Sequence, residues 1–413
     1  MDANPTPTEF NADALAQVAP TLQGIIDQGG LAGAVTLVWR KGKVVQAHAI
    51  GHRNIETGLP MTRDSLFRIA SMTKPVTSIA VMMLVEEGKL KLDDPVTRWL
   101  PELADMRVLN DPSGPLDATT PAARDITVED LLTHRSGLAY AFTSMGPIAY
   151  AHEEKLGSPL VNPLTPDQWL QALGDLPLTY QPGERFHYSH ATEVLGFLVA
   201  RIEGKPLGEV LKARIFDPLG MADTGFWMPP EKRSRMARLY QAPLEGALKD
   251  VSFPDTETPP AFEGGGGGLI STADDYLKFA RMMLGGGEVD GVRLVKAETL
   301  ELMATNRLTE EQRGHGFMGM PFWLSQGFGL GLSMILDAEK HQWMGAGAEG
   351  AYGWPGAFGT WWQADPANDL ILIYLIQDSM PLGPEAVTAM QSARPTARIG
   401  GPMFQKIVYA ALG

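Results

Sequence analysis

The stretch FRIASMTKPVTS places Ser71 and Lys74 three residues apart. On a helix that spacing puts both side chains on one face, one turn apart. A serine hydroxyl becomes a useful nucleophile only when a neighbouring base takes its proton. A lysine held neutral by burial can be that base, and the residues that follow are apolar on most faces. A serine at a helix start also sits where free amides and the positive end of the helix dipole favour a developing anion. The same residues fit a plainer arrangement, with Ser71 as a cap and Lys74 on the surface. Four residues alone do not choose between the two.

The elements around the pair can be read from periodicity. Residues 9–28 have amphipathic helical spacing, with Pro20 expected to bend the helix. Two β-branched runs flank Arg40-Lys41-Gly42-Lys43 and predict a hairpin. Helical spacing over 71–87 ends at Gly88, which puts Ser71 at a helix start. Further helices are expected over 126–133, 165–174, 191–203 and 207–214, and a long excursion over 226–262. The five glycines 264–268 read as a flexible connector, and Thr272 with Asp275 as a capping box opening a helix to about 284. Strands are expected over 327–335, 358–366 and 370–377, and a last helix over 402–412. Strands at both ends around a helical middle predict an α+β fold, an antiparallel sheet flanked by helices plus a mainly helical lobe. The expected division is a discontinuous sheet unit, 1–70 with 264–413, and a helical lobe, 71–263, that carries Ser71.

Composition removes several classes of function. The net charge is −14, with 48 acidic against 34 basic side chains, so nucleic acid and anionic lipid are not expected partners. There is no cysteine, hence no disulfide, thiolate metal site or cysteine nucleophile. The opening MDANPTPTEFNADAL lacks the basic start and apolar core of a leader, and no apolar run approaches a membrane span. A cytoplasmic protein without membrane association is therefore expected. His187-x-x-His190 has metal-ligand spacing but no third ligand in sequence, and the glycine run lacks the Lys-Ser/Thr of a phosphate loop. No cofactor and no metal are expected. No G-x-S-x-G occurs, and His134 with Ser136 reads as packing beside a turn rather than a catalytic pair.

Four ordered blocks carry a family resemblance: FRIASMTKPVTSIAVMMLVEEGKLKLDDPVTRWLPE, TVEDLLTHRSGL, HYSHATEVLGFLVARIEGKPL and GGGGGLISTADDYLKFARMML. They resemble the serine β-lactamase and penicillin-binding protein superfamily, and within it the family VIII carboxylesterases, which are class C β-lactamase-like. The resemblance runs from about residue 30 to residue 378. It implies a β-lactamase/DD-peptidase-like fold, with Ser71 as nucleophile, Lys74 as base partner or proton shuttle, and Tyr188 as the tyrosine of the Tyr-x-Asn element. An ammonium beside a phenol favours its ionised form, so such a tyrosine can take the serine proton and return it to the leaving group.

The family's Lys-Thr-Gly element corresponds here to Trp354-Pro355-Gly356, similar to the Trp-x-Gly form of family VIII. By the same resemblance the backbone amides of Ser71 and Ala357 form the oxyanion hole; Pro355 has no N–H to offer. His190 stands in place of the asparagine that contacts the amide of a β-lactam side chain, and Trp354 and Pro355 replace the residues that recognise a penicillin carboxylate. A pocket edged by His190, Tyr352, Trp354, Gly356 and Phe358, with Trp323 nearby, suits an apolar acyl or aryl group. The expected partner is thus a small-molecule ester with a short to medium acyl chain, cleaved through an acyl-enzyme. The alternatives are β-lactamase, D-amino-acid amidase or peptidase, and acyltransferase activity, or a binding protein that never turns over.

Overall fold

The computed structural model describes residues 10–158, 160–379, 382–386 and 396–412; most of the opening stretch read for a leader lies outside them. Eight strands form one antiparallel sheet: β1 (Gly33–Arg40), β2 (Lys43–Asn54), β3 (Leu59–Pro60), β4 (Gln326–Phe328), β5 (Ser333–Ile335), β6 (Tyr352–Gly353), β7 (Trp361–Asp365) and β8 (Leu370–Leu375). Their order is β4-β5-β6-β7-β8-β1-β2-β3, so the N-terminal hairpin docks on the C-terminal strands through β1 and β8. The β1–β2 turn is Lys41-Gly42, both at positive φ, the conformation a two-residue hairpin between twisted strands requires.

Strand β8 is buried on both faces, and its alternation sorts the core in two. Leu370, Leu372 and Tyr374 pack with Leu22 and Ile25 of the Val18–Asp27 helix and with Phe404 and Val408 of the Thr396–Ala410 helix. Ile371, Ile373 and Leu375 face the Ala273–Leu284 helix and the main core. That core continues into the helical lobe, where Thr73–Glu86 packs against Ala191–Glu203, and the latter against Val128–Leu132.

Several boundaries differ from the sequence reading. The first helix is interrupted at Ala16-Gln17 rather than bent at Pro20, which falls in the first turn of Val18–Asp27, where its missing N–H removes no helical bond. Residues 327–335 are not one strand: Gly329–Leu332 folds back, with Gly329 N donating to Leu332 O at 2.8 Å. The Thr272 hydroxyl does accept from Asp275 N, but the Asp275 carboxylate turns away to the Asp223 amide and the Thr224 hydroxyl, so the box is half closed. The glycine run is not a flexible connector either. A Cβ at Gly265 would lie 2.8 Å from Thr192 O, and one at Gly266 within 2.5 Å of the Glu193 carboxylate. Side chains are excluded there by close packing, not by a need for mobility.

Candidate active site

The chain enters the site from the short strand Phe67–Arg68, paired with Ile270–Ser271. Ala70 then adopts φ 46°, a left-handed conformation that costs a non-glycine residue about 1–2 kcal/mol. A 3₁₀ turn over Ala70–Met72 leads directly into the helix Thr73–Glu86. Ser71 therefore lies at a helix start, as its spacing predicts, held by neighbours rather than by a cap of its own. Tyr276 donates to Met72 O, Thr77 to Gly265 O, and the Leu269 amide to Thr73 Oγ1.

Tyr188 OH lies 2.7 Å from Ser71 Oγ, and Trp354 Nε1 donates to that same phenol oxygen at 3.0 Å. Lys74 is fully buried, which removes the arrangement that would place it on the surface. Its Nζ reaches Gly266 O at 2.6 Å, Tyr140 OH at 3.1 Å and Ser71 Oγ at 3.4 Å. Those three acceptors match the three N–H groups of an ammonium. Tyr140 OH in turn donates to Glu193, at 2.9 Å from each carboxylate oxygen.

Glu193 is wholly buried. Burial pushes its carboxyl above the usual range, while Lys74 and the Tyr140 hydrogen bond pull it back. The Tyr140 hydroxyl is driven well above the ordinary phenol value, by burial first and by Glu193 beside it, so it stays a donor to the carboxylate. A chain of hydrogen bonds thus runs through the Tyr140 phenol from Lys74 to Glu193. Thr143 ties the two tyrosine segments together: its hydroxyl accepts from the Tyr140 amide and donates to Tyr188 O.

The Trp354-Pro355-Gly356 turn docks against the segment that leads into Ser71. Thr360 Oγ1 donates to Ile69 O at 3.0 Å, and Gly356 N to Thr360 O at 2.7 Å. A Cβ on Gly356 would lie 2.4 Å from Ile69 O, so only glycine allows this approach. Among the described residues, neither the Ser71 nor the Ala357 amide has a hydrogen-bond acceptor.

Of the residues singled out from sequence, Ser71, Lys74, Tyr188, Trp354 and Gly356 come together, with Ala357 following directly. Phe358 packs with Ala70 and Leu239 at the flank. His190 sits one layer back, edge-on to the Tyr140 ring at 4.3 Å and stacked on His152. Burial lowers its imidazole well below the ordinary value, with His152 and Lys74 adding to the effect. Tyr352 is packed into the main core beside Trp362. Trp323 lies in the aromatic cluster with Phe186, Tyr188, Phe328 and Trp354. His134 is buried against Phe186, Tyr188 and Phe328, and its Nδ1 meets Ser189 Oγ rather than Ser136.

Sequence reasoning passed over Tyr140, Glu193 and Gly266. Glu193 did leave a signal, as the one acid in the otherwise apolar run ATEVLGFLVA. Among the described residues no group of three or more potential ligands is assembled for a metal, and no helix is long and apolar enough to cross a membrane.

Known proteins resemble this chain over nearly its whole length. The family described as Beta-lactamase matches residues 18–394. Protein Rv1367c of Mycobacterium tuberculosis (strain ATCC 25618 / H37Rv) is 51% identical over 397 residues, 95% of this chain and 98% of the relative. Esterase EstB of Burkholderia gladioli is 34% identical over 389 residues, covering 89% and 92%. Among solved structures, EstCE1, described as a hydrolase with promiscuous acyltransferase activity, superimposes with a TM-score of 0.77 at 25% identity, covering 96% of this chain and 99% of that one.

Proposed function

For a chain that belongs to the β-lactamase family, with its antiparallel sheet and helical lobe, we propose the activity of a carboxylesterase that works through an acyl-enzyme on Ser71. The observation that carries this reading is the contact of Ser71 Oγ with Tyr188 OH at 2.7 Å, beside two amides without acceptors. The identity of 34% to an esterase over most of both chains points the same way.

In this mechanism Lys74, with all three N–H groups engaged, serves as a fixed ammonium and not as the base. Its Nζ lies 4.7 Å from the Tyr188 ring, and the Trp354 N–H donates to the same phenol oxygen. Tyr188 takes the Ser71 proton as Oγ attacks the ester carbonyl. The carbonyl oxygen, now negative, accepts from the Ser71 and Ala357 amides. Tyr188 returns the proton to the departing alcohol, and water enters by the same route to free the acid. Because Tyr188 must reach the leaving oxygen, the alcohol lies toward Phe142, Phe317 and Trp354, and the acyl chain toward Ala70 and Phe358.

A β-lactamase reading is weaker. Trp354 stands where a lysine would meet a penicillin carboxylate, and its one N–H is spent on Tyr188. Acyl transfer is the second reading, favoured by the likeness to EstCE1. The test is hydrolysis of p-nitrophenyl butyrate by the wild type and by Ser71→Ala. A loss of about three orders of magnitude or more is expected. Equal rates would mean that a different group is the nucleophile. Adding a primary alcohol and assaying for the new ester separates hydrolysis from transfer.

A further inference from the structure

Arg68 is a partly buried charge for which the mechanism has no use. Its backbone is clamped on both sides by Gln377, whose amide oxygen accepts from Arg68 N at 3.3 Å and whose amide nitrogen donates to Arg68 O at 3.0 Å. Its guanidinium rests over the Phe253 ring at 5.1 Å and, among the described residues, forms no hydrogen bond or ion pair. Burial draws it below the ordinary arginine value, and Asp255 opposes this only in part. A partly buried guanidinium with no hydrogen-bonded counter-ion is a ready partner for an anion with two oxygens.

The same side chain lines a cavity of about 60 Å³, room for a carboxylate. Arg233 also lines it, over Trp227, with its Nε and one Nη2 N–H engaged by Met228 O and Thr256 O. Asp255 on the rim is exposed, so two cations face one carboxylate in a protein whose net charge is −14. Leu160 belongs both to this wall and to the apolar patch of Ala70, Ala357 and Phe358 beside Ser71. Three residues of chain hold the Arg68 and Ser71 Cα atoms within about 10 Å of each other, the length scale of a medium acyl chain.

We propose that this cavity is an acidic acyl subsite, in which Arg68 receives the distal carboxylate of an ω-carboxyacyl group whose ester carbonyl lies at Ser71. The substrate class is then the half-ester of a dicarboxylic acid, which rests on the esterase reading above. Methylenes run along Leu160 and Phe358, and the alcohol leaves on the Tyr188 side.

The test compares kcat/KM for mono-p-nitrophenyl adipate and suberate with that for p-nitrophenyl hexanoate and octanoate, in the wild type, Arg68→Met and Arg68→Lys. The acidic-to-neutral ratio is expected to fall about tenfold or more in Arg68→Met and less in Arg68→Lys, the scale of a lost charge-assisted hydrogen bond. Added salt should lower the ratio in the wild type. If both classes fall together, Arg68 only braces the Phe253 loop and the subsite is refuted while the esterase reading stands. If Arg68→Met does not fold, Arg68→Lys and the salt series decide by the same ratio. If the wild type cleaves no ester, the esterase reading fails, and heat protection by monomethyl adipate relative to methyl hexanoate judges the subsite alone. Equal protection by the two would overturn it.

Discussion

Replacing Glu193 by glutamine keeps the shape of the buried side chain and removes its charge. The hydrogen bonds in series, 3.1 Å from Lys74 to Tyr140 and 2.9 Å from Tyr140 to Glu193, hold the two charges within about 6 Å. At an effective dielectric of about 20 this attraction is about 3 kcal/mol, and the substitution removes it. The other titratable groups facing the pair are Tyr140, Tyr188, His134 and His190. Burial keeps both histidines neutral, so neither replaces the lost charge. If Lys74 works as an ammonium and Tyr188 as the base, Glu193→Gln moves the alkaline limb of the kcat/KM profile toward lower pH. Activity near neutrality falls with it. If Lys74 were itself the base, the same substitution would free the amine and carry activity toward lower pH. The assay is p-nitrophenyl butyrate hydrolysis across a pH series, with Glu193→Asp as a variant that keeps the charge. A profile that does not move, or one whose acid limb moves down instead, refutes the reasoning.

Two further outcomes follow from the same geometry. Trp354→Phe removes the N–H that Tyr188 accepts while keeping an aromatic ring in its cluster, so kcat should fall roughly tenfold, with KM less affected; an unchanged kcat in steady-state assays would show that this hydrogen bond does not act on the base. Burial holds His152 neutral down to about 4, against the hydrogen bond to Ala139 that favours its charged form. Because the unfolded chain takes up that proton near pH 6.5 and the folded one does not, stability is full above that pH and declines as pH falls toward 4. Each such histidine removes about 2 kcal/mol between pH 6.5 and 5. Urea unfolding should show a smaller acid loss for His152→Phe, and an equal loss in both proteins would count against burial as the cause.

How much of this was legible in the sequence depends on whether the signal was local. The hairpin turn Lys41-Gly42 and the helices over 165–174 and 191–203 are written in adjacent residues, and each forms where the pattern puts it. The pair Ser71 and Lys74 was visible as spacing. What spacing does not carry is the protonation state, which is set by groups distant in the chain: Gly266 O lies 192 residues from Lys74 and Tyr140 lies 66. The glycine run shows the limit most clearly. Five glycines in a row look like freedom, because the chain alone gives no sign of what surrounds them. In the fold Gly266 must lack a side chain so that its carbonyl can meet Lys74 while Glu193 lies against its Cα. The same residue thus packs between Lys74 and Glu193, and a feature read as loose proves to be closely packed. Buried charges are costly unless paired, so an isolated acid within an apolar helix, as at Glu193, is the mark to search for when only sequence is at hand.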